Sequence, residues 1–263
     1  MLDVIIAAHR RAAESDTRAI ETLISEAESQ PVARPFRDPL RTNKDLSVIA
    51  EIKRRSPSAG ELAPGLVVTE LAARYAAGGA TALSVLTDAE FFGGSADDLK
   101  AARAACDLPV LRKDFTISEA DVCDARLMGA DAILLIVAAL TDDELQRFRD
   151  LAVTLGLAAL VEVHTSEELA RALDAGADLI GVNSRNLRTF EVDLEVVERL
   201  ARRIPDNVIK VAESGVKGPA EAKRMAECGY DAVLVGTGVV TASDPAAAIR
   251  GLVNWSELSP PRG

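Results

Sequence analysis

Aromatic residues are scarce in this chain. One Trp, two Tyr and six Phe make up only 3% of its 263 residues, which is too few for the stacking surface that single-stranded nucleic acids require. The formal net charge of −11 also disfavours attraction to a phosphate backbone. We therefore expect no nucleic-acid partner. A small anion remains compatible, because the local field inside a cleft decides its binding.

Histidine and cysteine are equally sparse. His9 and His164 are the two histidines, and Cys106, Cys123 and Cys228 are far apart in the sequence. This pattern lacks the ligand spacing of a zinc site, so we expect no metal. An odd number of dispersed cysteines is typical of a reducing compartment, and the sequence therefore predicts a cytoplasmic location.

Long apolar runs are missing too. Residues 2–8 are apolar, but His9-Arg10-Arg11 and an acidic helical pattern follow them. A membrane span needs about 20 consecutive apolar residues. We expect neither a signal peptide nor a membrane-spanning segment.

Short apolar runs, in contrast, recur along the whole chain, and 48% of the residues are hydrophobic. Eight runs are predicted as strands: 46–53, 82–86, 108–111, 132–137, 157–163, 179–182, 208–212 and 232–235. Amphipathic segments predicted as helices follow them: 68–77, 95–105, 118–128, 142–155, 166–175, 194–203, 219–228 and 245–253. Strand alternating with helix predicts a parallel sheet covered on both faces.

A sequence echo supports the number of units. Gly79, Gly129, Gly176 and Gly229 each stand between a predicted helix and an even-numbered strand, where glycine commonly caps a helix. Their spacing of about fifty residues fits two βα units per repeat. We predict a single (β/α)8 TIM barrel over residues 1–263, with a doubly wound open sheet as the alternative fold.

An N-terminal helical extension precedes the barrel at residues 1–45. Helical periodicity over residues 2–30 predicts one or two helices packed on the barrel. Pro31, Pro35 and Pro39 are expected to end the helical region.

Charged residues lie at the carboxyl end of the first predicted strand. Glu51 and Lys53 are two positions apart and therefore project to the same side of a strand. Burial of an unpaired charge is costly, so this strand either delivers the two groups to a functional site or carries a local ion pair.

The other odd-numbered strands favour the functional site. Lys113, Glu162 and Glu213 lie at the ends of the third, fifth and seventh strands. Alternate strands of a barrel supply side chains to the same interior layer, and active sites lie at the carboxyl ends. We predict that these three residues and Lys53 meet at one mouth. His164 is expected to stabilise a loop.

Glycine-containing segments follow the last two strands. Ser214-Gly215 and Gly236-Thr237-Gly238 lie where barrels often bind phosphate through backbone N–H groups. We predict a phosphate site there, with hydroxyl donors from Ser214 and Thr237.

Several motifs together resemble one enzyme family. They are Glu51-Ile-Lys-Arg-Arg-Ser-Pro-Ser58, Leu111-Arg-Lys-Asp-Phe115, Glu162-Val163, Asn183-Ser-Arg-Asn-Leu187, Ala212-Glu-Ser-Gly215, Arg34-Pro-Phe-Arg37 and Phe91-Phe-Gly-Gly-Ser95. In these segments the chain resembles indole-3-glycerol-phosphate synthase of tryptophan biosynthesis. The resemblance implies a cofactor-independent ring closure of 1-(2-carboxyphenylamino)-1-deoxyribulose 5-phosphate to indole-3-glycerol phosphate.

The resemblance also implies residue roles. Lys113 would be the general acid, Lys53 would bind the substrate carboxylate and share in proton transfer, and Glu162 would assist dehydration. Orienting residues would be Glu51, Asn183 and Glu213. Residues that bind substrate or its phosphate would be Ser56, Phe115, Arg185, Ser214, Gly215, Gly236 and Thr237.

Two positions depart from the family pattern. Ala59 stands where many relatives have a basic residue, and Thr237 replaces a commoner Ser or Glu. The first affects a segment, residues 56–65, that we expect to act as a lid over the site. We further expect a monomer, with association with other pathway enzymes left open.

Two other functions are compatible with the residues alone. A Schiff-base aldolase would use Lys53 or Lys113 as nucleophile, which requires a lowered pKa. A non-catalytic phosphate-binding scaffold would leave the carboxylates unexplained.

Overall fold

A computed structural model of the chain describes residues 2–42, 46–57, 60–186, 189 and 191–254. Eight parallel strands form a closed barrel in which each strand pairs with its sequence neighbours and the last pairs with the first. They are β1 Ser47–Ile52, β2 Ala82–Leu86, β3 Val110–Lys113, β4 Ala132–Ile136, β5 Ala158–Val163, β6 Leu179–Asn183, β7 Ile209–Glu213 and β8 Ala232–Val235. The predicted (β/α)8 barrel is confirmed.

Helices precede the barrel and cover its outside. The N-terminal helices are α1 Leu2–Glu14, α2 Ile20–Glu28 and α3 Arg37–Thr42. Those that follow strands are α4 Val68–Ala77, α5 Ala96–Ala105, α6 Glu119–Met128, α7 Asp142–Thr154, α8 Ser166–Asp174, α9 Leu194–Ala201, α10 Pro219–Glu227, α11 Thr237–Val240 and α12 Pro245–Val253. None of the described helices is long and apolar enough to cross a membrane.

Most predicted boundaries shift by one or two residues, and proline explains two of the differences from the sequence prediction. Strand β3 begins at Val110 rather than at residue 108, because Pro109 has no N–H to donate to a neighbouring strand. The N-terminal region holds three helices instead of one or two, since α3 includes Pro39. Proline is tolerated there because the N–H groups of a helix's first turn have no intrahelical partner.

The four echoed glycines all have positive φ angles, between 74° and 90°. Glycine alone adopts this conformation at low cost, so each ends a helix and turns the chain into an even-numbered strand. The aspartates two residues after Gly129 and Gly229 add a second function. Asp131 accepts a hydrogen bond from Val110 N, and Asp231 accepts one from Lys210 N. These contacts fix the starts of β3 and β7.

Two apolar layers hold the barrel together. Side chains on the outward faces of the strands pack against the helices in the larger cluster. Alternate residues, such as Ile49, Leu111 and Leu160, fill the barrel interior. Phe36 and Leu40 join this interior cluster and are 2% and 1% exposed.

Helices α1 and α3 of the N-terminal extension lie at opposite ends of the barrel. Arg37 of α3 pairs with Asp178, which precedes β6, so α3 closes the amino-terminal end. His9 of α1 contacts Asp88, just after β2, at 2.9 Å. Arg10 donates to the Ile117 carbonyl beyond β3 at 3.3 Å. Helix α1 therefore lies beside the carboxyl-terminal mouth.

Candidate active site

A cavity of about 850 Å³ opens at the carboxyl-terminal mouth of the barrel. Every site residue predicted from the sequence lies in its lining: Glu51, Lys53, Ser56, Lys113, Phe115, Glu162, Asn183, Arg185, Glu213, Ser214, Gly215, Gly236 and Thr237. Ser58, Ala59 and Leu187, which belong to the predicted lid and to a family motif, lie outside the described residues.

Lys113 lies at the centre of the charged groups. Its Nζ is 3.1 Å from Glu162 Oε2 and 3.1 Å from Glu213 Oε2. The two carboxylates come from β5 and β7, and both side chains are at most 2% exposed. One ammonium thus faces two buried carboxylates in a site of low dielectric constant, where charge interactions are strong.

This arrangement shifts the ionisation of all three groups. Burial opposes the charge of Lys113, but the carboxylates of Glu162, Glu213 and Glu51 outweigh it and raise the lysine pKa. Burial and the nearby Glu162 raise the pKa of Glu213 although Lys113 opposes them. Burial also opposes ionisation of Glu162, yet Lys113 and His164 lower its pKa. These opposite shifts make Glu213 the more readily protonated of the two carboxyl groups beside the charged lysine.

Glu51 and Lys53 form a second charged pair on the cavity wall. Lys53 Nζ donates to Glu51 Oε1 at 2.5 Å. Both sequence alternatives thus apply, because the ion pair is local and it also faces the cavity. A Cβ atom on Gly236 would overlap Glu51 Oε1 and lie 3.2 Å from Lys53 Nζ. The absence of a side chain at Gly236 makes room for the pair.

Gly181 has the same function for Glu213. It lies in β6, and a Cβ atom there would overlap Glu213 Oε1. This oxygen is buried and has no hydrogen-bond partner among the described residues. Asn183, two residues later on the same inward face, accepts from Arg185 N at 3.0 Å.

The segments after β7 and β8 form the wall beside Glu51 and Lys53. Ser214 is the one non-glycine among the described residues with a positive φ, 65°. Such a conformation costs about 1–3 kcal/mol and is concentrated at functional sites. Helix α11 begins at Thr237, directly after Gly236. Lys217 also lines this wall and was not identified from the sequence.

An apolar and aromatic wall completes the cavity. Phe92, Phe115, Leu134 and Ile136 contribute to it, and the rings of Phe92 and Phe115 lie 6.4 Å apart. Of these four residues, Phe115 alone was predicted from the sequence as a site residue. The period of two along β4 was sufficient to indicate that Leu134 and Ile136 face inward, whereas the position of Phe92 depends on the fold of its loop.

His164 connects the site to helix α8. Its backbone N donates to Glu168 Oε2 at 2.7 Å and its Nδ1 lies 3.2 Å from the same atom, which accords with the expected loop role. Nε2 lies 3.5 Å from Glu162 Oε1. Burial opposes its charge, but Glu168 and Glu162 raise the His164 pKa. The raised pKa favours the charged form of His164 beside Glu162.

A family model described as indole-3-glycerol phosphate synthase matches residues 2–252. The chain belongs to the indole-3-glycerol phosphate synthase family. The resemblance inferred from the sequence motifs and the function it implied are thereby confirmed.

Curated relatives support this membership over nearly the whole chain. The indole-3-glycerol phosphate synthase of Mycolicibacterium gilvum is 50% identical over 244 residues, which cover 91% of this chain and 90% of the relative. That of Kineococcus radiotolerans is 47% identical over 259 residues, which cover 96% and 94%.

Solved structures of other proteins share the fold. Thiamine phosphate pyrophosphorylase from Pyrococcus furiosus has a TM-score of 0.62 at 21% identity and covers 81% of this chain and 96% of its own. A 3-hexulose-6-phosphate synthase has a TM-score of 0.62 at 19% identity, with coverages of 80% and 99%. At these identities the likeness concerns the barrel alone.

Proposed function

We propose that the cavity converts 1-(2-carboxyphenylamino)-1-deoxyribulose 5-phosphate into indole-3-glycerol phosphate, carbon dioxide and water, and that the chain is a carbon–carbon lyase of the carboxy-lyase class. The observation that carries this proposal is Lys113 held between Glu162 and Glu213 in a cavity of a synthase-family barrel. A charged lysine and two carboxyl groups with opposite pKa shifts are the acid and base groups that a condensation followed by a dehydration needs.

The first step is ring closure. The ring carbon that bears the carboxylate attacks the C2 carbonyl of the ribulose chain, and Lys113 protonates the developing alkoxide. Because the pKa of Lys113 is raised, the lysine is fully protonated before the reaction. The neighbouring carboxyl pair can return a proton to the amine afterwards.

Loss of carbon dioxide follows from the ring closure itself. The attack leaves an iminium group beside the carboxylate, and this group accepts the electron pair of the breaking C–C bond. No separate electron sink is required. Lys53 binds the carboxylate in the ground state, and Glu51 at 2.5 Å holds the lysine in place.

Dehydration gives the indole ring. Glu162 assists loss of the hydroxyl group and removal of the ring proton. Glu213, whose Oε2 contacts Lys113, orients the lysine and the hydroxyls of the sugar chain. Asn183 orients the same hydroxyls, and its Oδ1 accepts a hydrogen bond from the Arg185 backbone N.

The phosphate lies at the wall after β7 and β8. Ser214, Gly215, Gly236 and Thr237 supply backbone and hydroxyl donors there, and Ser56 and Arg185 face the same cavity. The aromatic ring of the substrate lies against Phe115. This arrangement places the phosphate beside the Gly236 backbone and the aromatic ring against Phe115, so the orientation of the substrate is fixed before chemistry.

Amine nucleophilicity is the property that separates this mechanism from a Schiff-base aldolase. A nucleophilic lysine needs a lowered pKa, whereas the pKa of Lys113 is raised. Borohydride in the presence of the substrate is therefore expected to trap no adduct on Lys113 or Lys53. A covalent adduct on either residue would overturn the general-acid role.

Incubation of purified protein with the carboxyphenylamino deoxyribulose phosphate in EDTA tests the whole proposal. We expect indole fluorescence to appear together with carbon dioxide in equal amounts. Substrate that remains intact would reject the reaction, and activity that depends on added metal would reject the cofactor-independent mechanism. We further propose that the enzyme is a monomer and acts in tryptophan biosynthesis in the cytoplasm. Size-exclusion chromatography tests the oligomeric state.

A further inference from the structure

Helix α1 contacts the aromatic wall of the cavity through His9. Its Nε2 lies 2.9 Å from Asp88 Oδ2 and 4.0 Å from Asp114 Oδ1. The His9 ring also packs against the ring of Phe115, with centroids 5.2 Å apart and an angle of 42°. The His9 side chain is 21% exposed, whereas Asp88 and Asp114 are 4% and 5% exposed.

His9 is therefore connected to the aromatic wall in two ways. It contacts the Phe115 ring directly, and it contacts Asp88, whose Oδ1 accepts hydrogen bonds from the backbone of Phe91 at 2.6 Å and Phe92 at 3.0 Å. The Phe115 backbone N in turn donates to Asp114 at 2.9 Å. Both rings of the wall thus depend on the two carboxylates that face His9.

The trio His9, Asp88 and Asp114 is also the one group among the described residues with ligand atoms close enough to hold a metal ion. Their oxygens already have other partners, however. Asp114 Oδ2 accepts from Thr87 at 2.5 Å and from Arg112 at 3.1 Å, and Asp88 Oδ1 accepts the two backbone bonds given above. A cation between the oxygens that face His9 would have to displace the contact of His9 Nε2 with Asp88 Oδ2 and compete with Phe115 N for Asp114 Oδ1. An ion pair of His9 therefore fits the geometry better.

We propose that His9 is a positioning residue whose ion pair with Asp88 and Asp114 docks helix α1 onto Phe115 and fixes the aromatic wall for the substrate ring. This inference rests on the proposed function, because the wall is important only for a substrate with an aromatic ring. It assigns a distinct task to the N-terminal extension, which supplies a support for the binding wall and no reacting group.

The charge of His9 makes this support sensitive to pH. The hydrogen bond to Asp88 raises the pKa of His9, burial opposes it, and the nearby Asp114 and Asp121 carboxylates add to the rise. Arg112, which is paired with Asp114, is the opposing charge from β3. A raised pKa means that the ion pair is complete below pH 6.5 and is lost as the pH rises through the folded-state value.

The titration of His9 can be followed directly because the chain has two histidines. In an NMR titration, the His9→Gln variant shows only the His164 ring signals. The ring signals that are present in wild type and missing from the variant therefore belong to His9. We expect its pKa to lie above 6.5 and to fall in Asp88→Asn. A His9 pKa at or below 6.5 would overturn the ion pair.

Kinetics test the positioning role. We expect His9→Ala to raise KM for the carboxyphenylamino deoxyribulose phosphate roughly 3- to 10-fold, the range of a lost aromatic or charged contact, with kcat little changed. His9→Gln retains a hydrogen bond but no charge. Its KM relative to wild type should therefore be highest at acid pH and approach one as the pH rises.

Arg11→Ala is the matched control, since Arg11 is an exposed cation of the same helix. It should match the wild type in KM at every pH, and circular dichroism should show all variants folded. An unchanged KM in His9→Ala, or a KM ratio independent of pH in His9→Gln, would overturn this inference. Absence of wild-type turnover would instead reject the proposed function.

Discussion

Lys113 carries the chemistry at the scale of single residues. Two carboxylates within 3.1 Å keep it charged, and the same contacts fix the position of its Nζ. A flexible surface lysine is also charged at neutral pH, but its Nζ has no fixed position. The neighbours of Lys113 therefore make it an acid that is both protonated and correctly placed.

Substitution of these groups gives the first prediction. We expect Lys113→Ala and Glu162→Gln to lower kcat by about 10²–10⁴, the usual effect of losing a general acid or base. Lys100→Ala, at an exposed lysine of α5, is the control and should retain wild-type rates. Steady-state assay of indole fluorescence measures the effect. Near-normal turnover in both active-site variants would contradict the assignment.

The second prediction concerns a residue with no side chain. Gly181→Ala should displace the Glu213 carboxylate, which occupies the space where the new Cβ would lie. Small errors of position are costly in catalysis, so we expect kcat to fall by about 10²-fold. Overpacking should lower the free energy of unfolding by about 1–3 kcal/mol.

Gly218→Ala is the comparison for this effect. A Cβ there meets only Glu221 Oε2, at 3.9 Å, and its φ of −172° suits any residue. It should keep wild-type kcat. Equal rates in Gly181→Ala and wild type would show that Glu213 tolerates displacement.

At the scale of the secondary-structure element, the start of α7 links two parts of the molecule. Thr141 Oγ1 accepts from Glu144 N at 3.3 Å, and Glu144 Oε2 accepts from Thr141 N at 2.9 Å. This reciprocal pair is a capping box. Glu144 also bonds Arg10 of α1 at 2.5 Å. Glu144, which caps α7, is thus also the ion-pair partner of Arg10 in α1.

Removal of the cap gives the third prediction. Thr141→Ala should lower the free energy of unfolding by about 1 kcal/mol, as measured by urea denaturation. Thr141→Ser preserves the hydroxyl and should remain within a few tenths of a kcal/mol of wild type. Because Thr141 does not line the cavity, kcat should not change in either variant. A Thr141→Ala protein as stable as wild type would show that the capping box contributes nothing.

Elements were predictable from the sequence where the local pattern decides them. The runs at 82–86 and 232–235 coincide with β2 and β8, because apolar runs between glycine turns leave few alternatives. Inward residues such as Lys113 follow from the period of two. The contacts of His9 did not follow, because His9 and Asp88 are 79 positions apart in the sequence and come within 2.9 Å only in the folded chain. Helix α3 was missed because Pro39 was taken as a terminator.

At the scale of the whole molecule, ion pairs between the N-terminal extension and the barrel predict acid sensitivity. The hydrogen bond from Arg10 lowers the pKa of Glu144 from 4.5 to about 2, while burial opposes this shift. A lowered carboxyl pKa stabilises the fold above pH 4.5, and the contribution is lost as the pH falls towards 2.

Urea denaturation of Glu144→Gln between pH 7 and pH 2 provides the fourth test. At pH 7 the variant should be less stable than wild type because the charged contact with Arg10 is lost. The difference between the two proteins should shrink as the pH falls from 4.5 to 2. A difference that stays constant over this range would contradict the role of the Arg10–Glu144 pair.

Phe36 and Leu40 close the amino-terminal end of the barrel, and this has a consequence for molecular traffic. The cavity therefore opens at the carboxyl-terminal mouth of the barrel. Under the proposed reaction, the substrate enters and three products leave through the same opening, beside which α1 lies. The closed end of the barrel, remote from the reacting groups, thus makes substrate entry and product release depend on one opening.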